Sequence, residues 1–174
     1  NKKKMDYGYY SGFSGLGKKN ILKWWDKIII ELEFQTDDHL LDIGCCTGEF
    51  IHYVKGLIHS ATGIDVAIEN IRKANKLFED QPLFNFYVGD VSSAFSRSNI
   101  TSFNKIIINS VLLHCPEHYL FDLLSEFKKK SPSNSIFLIG DLVKPSDRYK
   151  YKGLRSILHR YAYTCHDPED VSEK

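Results

Sequence analysis

Four polar residues follow four short apolar segments of this chain, and their side chains could bind a ligand. Asp42, Asp65, Asp90 and Asn109 each lie at the end of one segment, roughly one strand and one helix apart. Carboxylates suit a ligand that carries positive charge or vicinal hydroxyl groups, because they attract cations and accept hydrogen bonds. A single aspartate at such a position is a turn residue about as often as it is a ligand-binding residue. Several such polar residues, each at the end of a neighbouring strand of one sheet, indicate a binding site.

A loop with two glycines follows the first apolar segment. Gly44 and Gly48 enclose Cys45, Cys46 and Thr47. The spacing differs from the G-x-G-x-x-G of dinucleotide folds, and no Lys-Ser or Lys-Thr pair follows Gly48 as in a phosphate-binding P-loop. The preceding carboxylate would also repel a pyrophosphate. We interpret the two cysteines as small apolar side chains in a tight loop, since metal and redox sites use spaced cysteines.

The order of the predicted elements brings these residues together. Short apolar strands alternate with longer helical patterns, which is typical of a parallel sheet covered by helices. We predict strands at 40–43, 61–65, 84–88, 103–108 and 135–140, and helices at 18–32, 48–58, 67–79, 92–98 and 116–130. Ligands of such sheets bind at the carboxyl ends of the strands, where the strand order reverses. The predicted fold class is α/β, a doubly wound, mostly parallel sheet with helices on both faces.

Composition and charge exclude several classes of protein. The net charge of +1 argues against a dedicated nucleic-acid or membrane-surface binder. A hydrophobic content of 43% is too high for a disordered chain. The apolar runs fall far short of the ~20 residues that a membrane span needs, and no apolar stretch follows Lys2 to Lys4 as in a signal peptide. We expect a cytoplasmic protein without a metal site.

The ordered motifs resemble those of class I S-adenosylmethionine-dependent methyltransferases. Residues 40–48 (LLDIGCCTG) are similar to the first motif of that family, and 63–65 (GID) to its ribose-binding acidic position. Residues 88–91 (VGDV) are similar to its adenine-side motif, and 109–116 (NSVLLHCP) to the segment after its fourth strand. The resemblance extends from about residue 18 to residue 145. It implies a methyltransferase fold and S-adenosylmethionine as the cofactor.

The resemblance implies a role for each residue of the edge. The glycine loop would run alongside the methionine part of the cofactor, and Asp42 would lie behind the loop. Asp65 would hold the ribose, Asp90 would flank the adenine, and Asn109 would lie near the methionine amino group through its backbone carbonyl. The predicted cofactor-binding residues are Tyr10, Asp42, Gly44, Cys45, Cys46, Gly48, Asp65, Val66, Asp90, Val91 and Asn109.

Three of the predicted site residues either differ from the family motif or have a second possible role. Cys46 stands where the family often has a glycine, so its side chain must either point away from the cofactor or contact it. His114 matches a histidine common in the family and is the candidate general base; a helix-start histidine in solvent or in a hydrogen bond is the alternative. Tyr10 belongs to an arm that folds over the cofactor in similar enzymes, where its ring could contact the sulfonium; an arm that is disordered or only packs is the alternative.

We expect the methyl acceptor to be a small molecule, with an oxygen, nitrogen or carbon nucleophile. The basic stretch from Lys144 to Arg160 follows the fifth strand, where relatives build the acceptor site, and suits an anionic acceptor. A solvated helix face is the alternative interpretation. The Asn/Asp-Pro-Pro-aromatic motif of enzymes that methylate planar amino groups is absent, because Ser110 follows Asn109.

Other functions compete with this interpretation. Tyrosines interleaved with the basic residues keep an RNA acceptor open, although nucleic acid is the less favoured partner. A non-catalytic, cofactor-binding partner subunit of the same fold is a further alternative. A nicotinamide-dependent oxidoreductase is disfavoured by the loop spacing and by Asp42.

We predict a single methyltransferase-like domain over 18–174, preceded by a flexible arm or lid at 1–17. The sheet of the family usually continues past the fifth strand with a helix and an antiparallel hairpin. Here Asp167 to Asp170 has the acidic composition of a helix start, and the chain stops inside that helix. We therefore expect the C-terminal strands to be missing.

Overall fold

The computed structural model describes residues 18–90, 103–109, 111, 124–125, 127–129, 131–132, 134–140 and 161–164, with the backbone alone for 18–20 and 161–164. The helices are Lys18–Leu32 (α1), Glu49–Val54 (α2) and Ile68–Leu77 (α3). The strands are His39–Ile43 (β1), Ser60–Asp65 (β2), Phe84–Val88 (β3), Lys105–Asn109 (β4), Ile136–Gly140 (β5) and Tyr161–Thr164 (β6). None of the helices in these described ranges has the length and apolar character that a membrane span requires.

The six strands form one sheet in the order β3-β2-β1-β4-β5-β6. All pairs from β3 to β5 are parallel, and β6 is antiparallel to β5. The strand order reverses between β1 and β4, so a ligand crevice is expected above the carboxyl ends of these two strands. The arrangement confirms the predicted doubly wound, mostly parallel fold.

Apolar side chains cover both faces of the sheet. On one face α1, α2 and α3 pack with one set of strand residues, and Trp25 of α1 lies against Phe50 of α2 with ring centroids 6.0 Å apart. On the other face Phe127 contacts Phe103 and Phe137, at centroid distances of 6.4 and 5.1 Å. Two apolar layers therefore hold β1 and β4 in the middle of the protein, which fixes the edge where they end.

Strand β6 lies in a segment for which the sequence predicts no strand. It pairs Tyr161 with Ile139 and Thr164 with Ile136. The chain therefore leaves β5 and enters β6 at the same, carboxyl edge of the sheet. The predicted arm at 1–17, the predicted helix at 92–98, most of that at 116–130 and the helix start at Asp167 lie outside the described residues.

A buried polar cluster at the opposite, amino edge connects the α1–β1 turn to the start of β4. The carboxylate of Asp38 accepts hydrogen bonds from Asn104 Nδ2 and from the backbone N–H of Gln35, both at 2.6 Å. Lys105 Nζ lies 3.7 Å from Asp38 Oδ2, and both side chains are buried. Asn104 Oδ1 in turn accepts the N–H of His39 at 2.8 Å. The cluster sets the register of β1 against β4 at their first residues.

We expect Asp38→Ala to lower the free energy of unfolding by about 3–5 kcal/mol, because it leaves the buried ammonium of Lys105 and two hydrogen-bond donors without their carboxylate. Urea denaturation followed by circular dichroism measures the change. Glu69→Ala, which removes an exposed ion pair with Arg72, is the matched control and should change the free energy by less than about 1 kcal/mol. Equal losses in the two variants would contradict the assigned role of Asp38.

Candidate functional site

The loop between β1 and α2 is held by the end of β2. The backbone N–H groups of Gly44 and Cys45 both donate to the carbonyl oxygen of Ile64, at 2.7 and 3.1 Å. The N–H of Cys46 donates to Oδ2 of Asp65 at 3.0 Å. Two residues of β2 thus accept three successive N–H groups of the loop. Because backbone donors at this depth need partners, these bonds fix the loop relative to the sheet edge.

Three residues of this loop have a left-handed backbone. The φ angle is 81° at Gly44, 52° at Cys46 and 75° at Gly48. A Cβ on Gly44 would also lie 2.2 Å from Cγ2 of Val111, so a side chain there is excluded by space as well as by φ. Cys46 adopts a conformation that costs an L-residue with a side chain about 1–2 kcal/mol. The position at which the family often has glycine therefore keeps a glycine-like backbone.

The carboxylate of Asp65, half-buried at the end of β2, is oriented by groups of the protein itself. Its Oδ1 accepts hydrogen bonds from the N–H of Ala67 at 2.8 Å and from Asn70 Nδ2 at 3.3 Å, while Oδ2 accepts the N–H of Cys46. A carboxylate offers about four acceptor positions. One position on Oδ2 is left for a ligand hydroxyl, and a second hydroxyl would share Oδ1 with two protein donors.

Asp42 is a buried carboxyl group beside this loop. In the centre of the sheet, Asp42 pairs with Gly63 of β2 on one side and with Ile107 of β4 on the other. Burial, and then the negative charge of Asp65, raise the pKa of Asp42 from 3.8 to about 7. A positive ligand group near Asp42 would favour its ionised form, because it offsets both causes. The geometry and charge therefore suit a cation.

The two loop thiols are poor nucleophiles. Burial is the largest cause that raises the pKa of Cys45 well above its usual value, and nearby carboxylates add to it. Burial also raises the pKa of Cys46 to about 12, against a hydrogen bond from the N–H of Thr47 that lowers it. Both thiols stay protonated at neutral pH, which agrees with their interpretation as small packed side chains. Within the described part of the chain, no three His, Cys, Asp or Glu side chains form a group that could hold a metal ion.

Asn109 ends β4 with its side chain and its backbone near different neighbours. A Cβ on Gly140 would lie 2.2 Å from Asn109 Oδ1, so the amide occupies the space above the end of β5. The carbonyl oxygen of Asn109 lies 3.8 Å from the Cβ position of Gly44. The carbonyl oxygen therefore lies close to the loop, which is compatible with the expected use of the backbone rather than the side chain.

The remaining predicted residues lie at the margin of the site or beyond the described residues. Val66 directly follows Asp65 and is 75% exposed. Asp90 is exposed just after β3, where the N–H of Gly89 donates to the carbonyl of Asp65 at 3.0 Å. The structure thus brings the described members of the predicted set to one edge. Three predicted residues, Tyr10, Val91 and His114, lie outside the described part, and their roles stay predictions.

Sequence reasoning does not single out three residues that contact the loop or its supports. Asn70 orients Asp65, but an asparagine five residues after an aspartate carries no recognisable signal. Glu49 begins α2 and is only 8% exposed. An acidic residue is common at a helix start, so its burial is visible only in three dimensions. Phe86 packs beneath the loop from β3, and it reads in the sequence as an ordinary core aromatic.

The pKa of Asp42 predicts a pH-dependent cost in stability. The native state keeps the Asp42 proton up to about pH 7, whereas the unfolded chain loses it near pH 3.8. The contribution of Asp42 to the free energy of unfolding is therefore highest below pH 3.8. It falls by up to about 4 kcal/mol as the pH rises to 7. We expect Asp42→Asn to be more stable than the wild type at pH 8, with a smaller difference at pH 4.5. Urea denaturation at both pH values measures this, and a pH-independent difference would contradict it.

Comparison with known proteins supplies the family. A model of the methyltransferase domain family matches residues 41–139, which is more than half of the chain. The match runs from within β1 to within β5, and it includes the loop and every described residue of the predicted cofactor-binding set.

Individual relatives are distant. A segment of 82 residues is 32% identical to the 23S rRNA (uracil(1939)-C(5))-methyltransferase RlmD of Haemophilus parainfluenzae. This segment covers 45% of this chain and 19% of that protein. The N-methyltransferase NodS of Bradyrhizobium japonicum superposes with a TM-score of 0.63 at 16% identity, over 76% of this chain and 74% of NodS. The protein YcgJ of Bacillus subtilis gives a TM-score of 0.60 at 19% identity, over 74% of this chain and 54% of YcgJ.

The chain thus spans about a fifth of the ribosomal RNA methyltransferase and about half of YcgJ. At these identities the solved structures establish the fold. The family match, together with the strand order and the loop geometry, confirms the resemblance drawn from the motifs. The chain belongs to the methyltransferase domain family, within the class I S-adenosylmethionine-dependent methyltransferases.

Proposed function

We propose that this chain binds S-adenosylmethionine at the carboxyl edge of β1, β2 and β4 and transfers its methyl group to a small-molecule acceptor. One observation carries the proposal: a left-handed loop, bonded to β2 by three N–H groups, lies between a buried carboxyl group and an oriented carboxylate. Such an edge offers negative charge and fixed acceptors, which suit the cations and hydroxyl groups of the cofactor.

The residues present fit this cofactor. Its methionine part carries an ammonium and a sulfonium, and Asp42 lies behind the loop with a pKa of about 7 that a nearby cation would lower. Asp65 keeps one acceptor position on Oδ2 for a ribose hydroxyl. The carbonyl of Asn109, which lies close to Gly44, is an acceptor for the ammonium. The exposed side chain of Val66 supplies apolar surface next to Asp65.

The bound cofactor supplies an activated methyl group with a neutral thioether as its leaving group. The task of the protein is then mainly to hold the acceptor in line with the methyl carbon, since alignment itself provides much of the acceleration. A hydroxyl acceptor also needs a base, for which His114 is our candidate. The thiols of Cys45 and Cys46 take no part, because both stay protonated at neutral pH.

A small, anionic acceptor is the choice that the charge of the chain supports. The net charge of +1 differs from the strongly basic balance of RNA-binding proteins. The basic stretch from Lys144 to Arg160 lies between β5 and β6, which meet the carboxyl edge at Gly140 and Tyr161. Cations concentrated there would favour a carboxylate or phosphate on the acceptor.

An RNA acceptor is the second candidate function. It is favoured by one observation, the 32% identity over 82 residues to an enzyme named as a 23S rRNA methyltransferase. A non-catalytic subunit that binds the cofactor for a partner is the third. It is motivated by Cys46 at a glycine position with φ of 52°.

Calorimetric titration with S-adenosylhomocysteine tests the cofactor assignment. We expect binding by the wild type, and a loss of about 1.5–3 kcal/mol of binding free energy in Asp65→Ala, the usual cost of losing hydrogen bonds to a charged group. Asp65→Asn keeps one acceptor oxygen and should lose less. Asp80→Ala, which removes an exposed carboxylate after α3, is the control and should bind like the wild type. Absence of wild-type binding up to millimolar ligand would refute the assignment.

The acceptor is tested by incubating the protein with radiolabelled S-adenosylmethionine and a cell extract separated into low-molecular-mass and RNA fractions. We expect label in a low-molecular-mass product that separates chromatographically from the labelled S-adenosylmethionine itself, and the loss of that product in Asp65→Ala. Label confined to RNA would favour the ribosomal-type function. Tight cofactor binding with no labelled fraction would favour the non-catalytic subunit.

A further inference from the structure

Phe86 lies where an edge strand meets the underside of the candidate cofactor loop. Phe86 pairs directly with Gly63 of β2 in the parallel register. The side chain is 5% exposed, although its neighbour Asn85 and the strand end at Val88 are open to solvent. The ring is therefore turned inward across β2, and the absence of a side chain at Gly63 gives it room.

The space around the ring is closely filled. A Cβ on Gly63 would lie 2.5 Å from Phe86 Cδ1 and 2.7 Å from Cys45 Sγ. A Cβ on Gly48 would lie 2.9 Å from Phe86 Cε1. One ring thus touches the strand that accepts the first N–H groups of the loop and also the residue at which the loop ends. Phe78 supports the ring from α3's end, with centroids 4.9 Å apart.

The loop is consequently held in two different ways along its length. Its first half is fixed by hydrogen bonds to Ile64 and Asp65. At its far end Gly48 has no side chain of its own to pack and is the N-cap of α2. Its N–H donates to the carbonyl of Cys45 and its carbonyl accepts the N–H of His52, both at 2.9 Å. The rings of Phe86 and Phe78 fill the space beside Gly48, and Phe86 makes the closer contact, 2.9 Å against 3.3 Å from the position of a Cβ on Gly48.

We propose that Phe86 is a positioning residue for cofactor binding, which holds the loop from Gly44 to Gly48 in its left-handed path by filling the space beside Gly48 and Gly63. The inference rests on the proposed function for its ligand, but the path of the loop can be measured without one. Replacing the ring by a smaller side chain opens a cavity beneath the loop, and cavities in tight packing are only partly closed by relaxation.

The test compares Phe86→Leu with Phe84→Leu. Phe84 lies on the same strand and stacks on Phe78 at a centroid distance of 5.3 Å, so its replacement removes the same atoms from the same aromatic cluster away from the loop. Phe86 is buried and Phe84 half-buried, so Phe86→Leu should lose the more thermal stability. Exchange at the loop is therefore compared with exchange at the β4 amides of the same variant. Phe86→Leu should speed amide hydrogen exchange at Cys45 and Cys46 at least ten-fold more than Phe84→Leu, and should weaken S-adenosylhomocysteine binding at least ten-fold. Equal exchange rates in the two variants would overturn the proposal.

A second pair keeps the test decisive if Phe86→Leu does not fold. Gly63→Ala pushes a methyl group against the ring and the Cys45 thiol, so we expect faster exchange at the loop and weaker ligand binding. Adding Phe86→Leu to Gly63→Ala should restore part of both losses, because the smaller side chain makes room. A double variant whose losses equal or exceed those of Gly63→Ala alone would overturn the proposal. If the wild type binds no S-adenosylhomocysteine, the proposed function fails while the exchange data still decide the role of Phe86.

Discussion

The site depends on two acceptors at the end of β2. The carbonyl of Ile64 and the carboxylate of Asp65 receive three successive N–H groups from the loop that follows β1. These bonds form only when β1 and β2 are paired in the register that sets Asp42 beside Gly63. A shift of one residue would turn every side chain of β1 to the other face. The backbone pairing of the sheet therefore determines the arrangement of the charged groups above it.

The two edges of the sheet use buried charge in opposite ways. At the amino edge, Asp38 is matched by Lys105 and by two further donors, so its charge is compensated. At the carboxyl edge, Asp42 is buried near a second carboxylate, and its raised pKa expresses a cost to the folded state. Proteins commonly tolerate such a cost at functional sites and offset it elsewhere. The contrast between the edges supports the proposal that the ligand binds at the carboxyl edge.

The sequence predicts the parallel core well, because hydrophobic periodicity and strand-end aspartates are local features. Strands β1 to β5 and helices α1 and α3 lie within a few residues of their predicted bounds. Helix α2 ends at Val54, short of the predicted residue 58. Strand β6 is missed, since a four-residue strand in a basic segment gives little signal.

Within the site, the sequence indicates which residues gather at the edge but not how each is used. The side chain of Asn109 lies over Gly140, while its carbonyl oxygen lies close to Gly44. Asp65 is engaged by three protein donors before any ligand arrives. Such details depend on which atoms meet across strands that are distant in sequence, and no local pattern encodes them.

β6 returns to the sheet at the edge where β5 leaves it, with Tyr161 beside Ile139. The described pairing of β5 with β6 uses residues 136–139 and 161–164, and the bonds between the glycine loop and β2 use residues 44–46, 64 and 65. Changes between Gly140 and Tyr161 therefore replace none of these bonded residues. Connecting segments tolerate such changes far better than the elements they join. Under the proposed function, the preference for an acceptor would change with this connection, while the edge formed by β1 and β2 would stay the same.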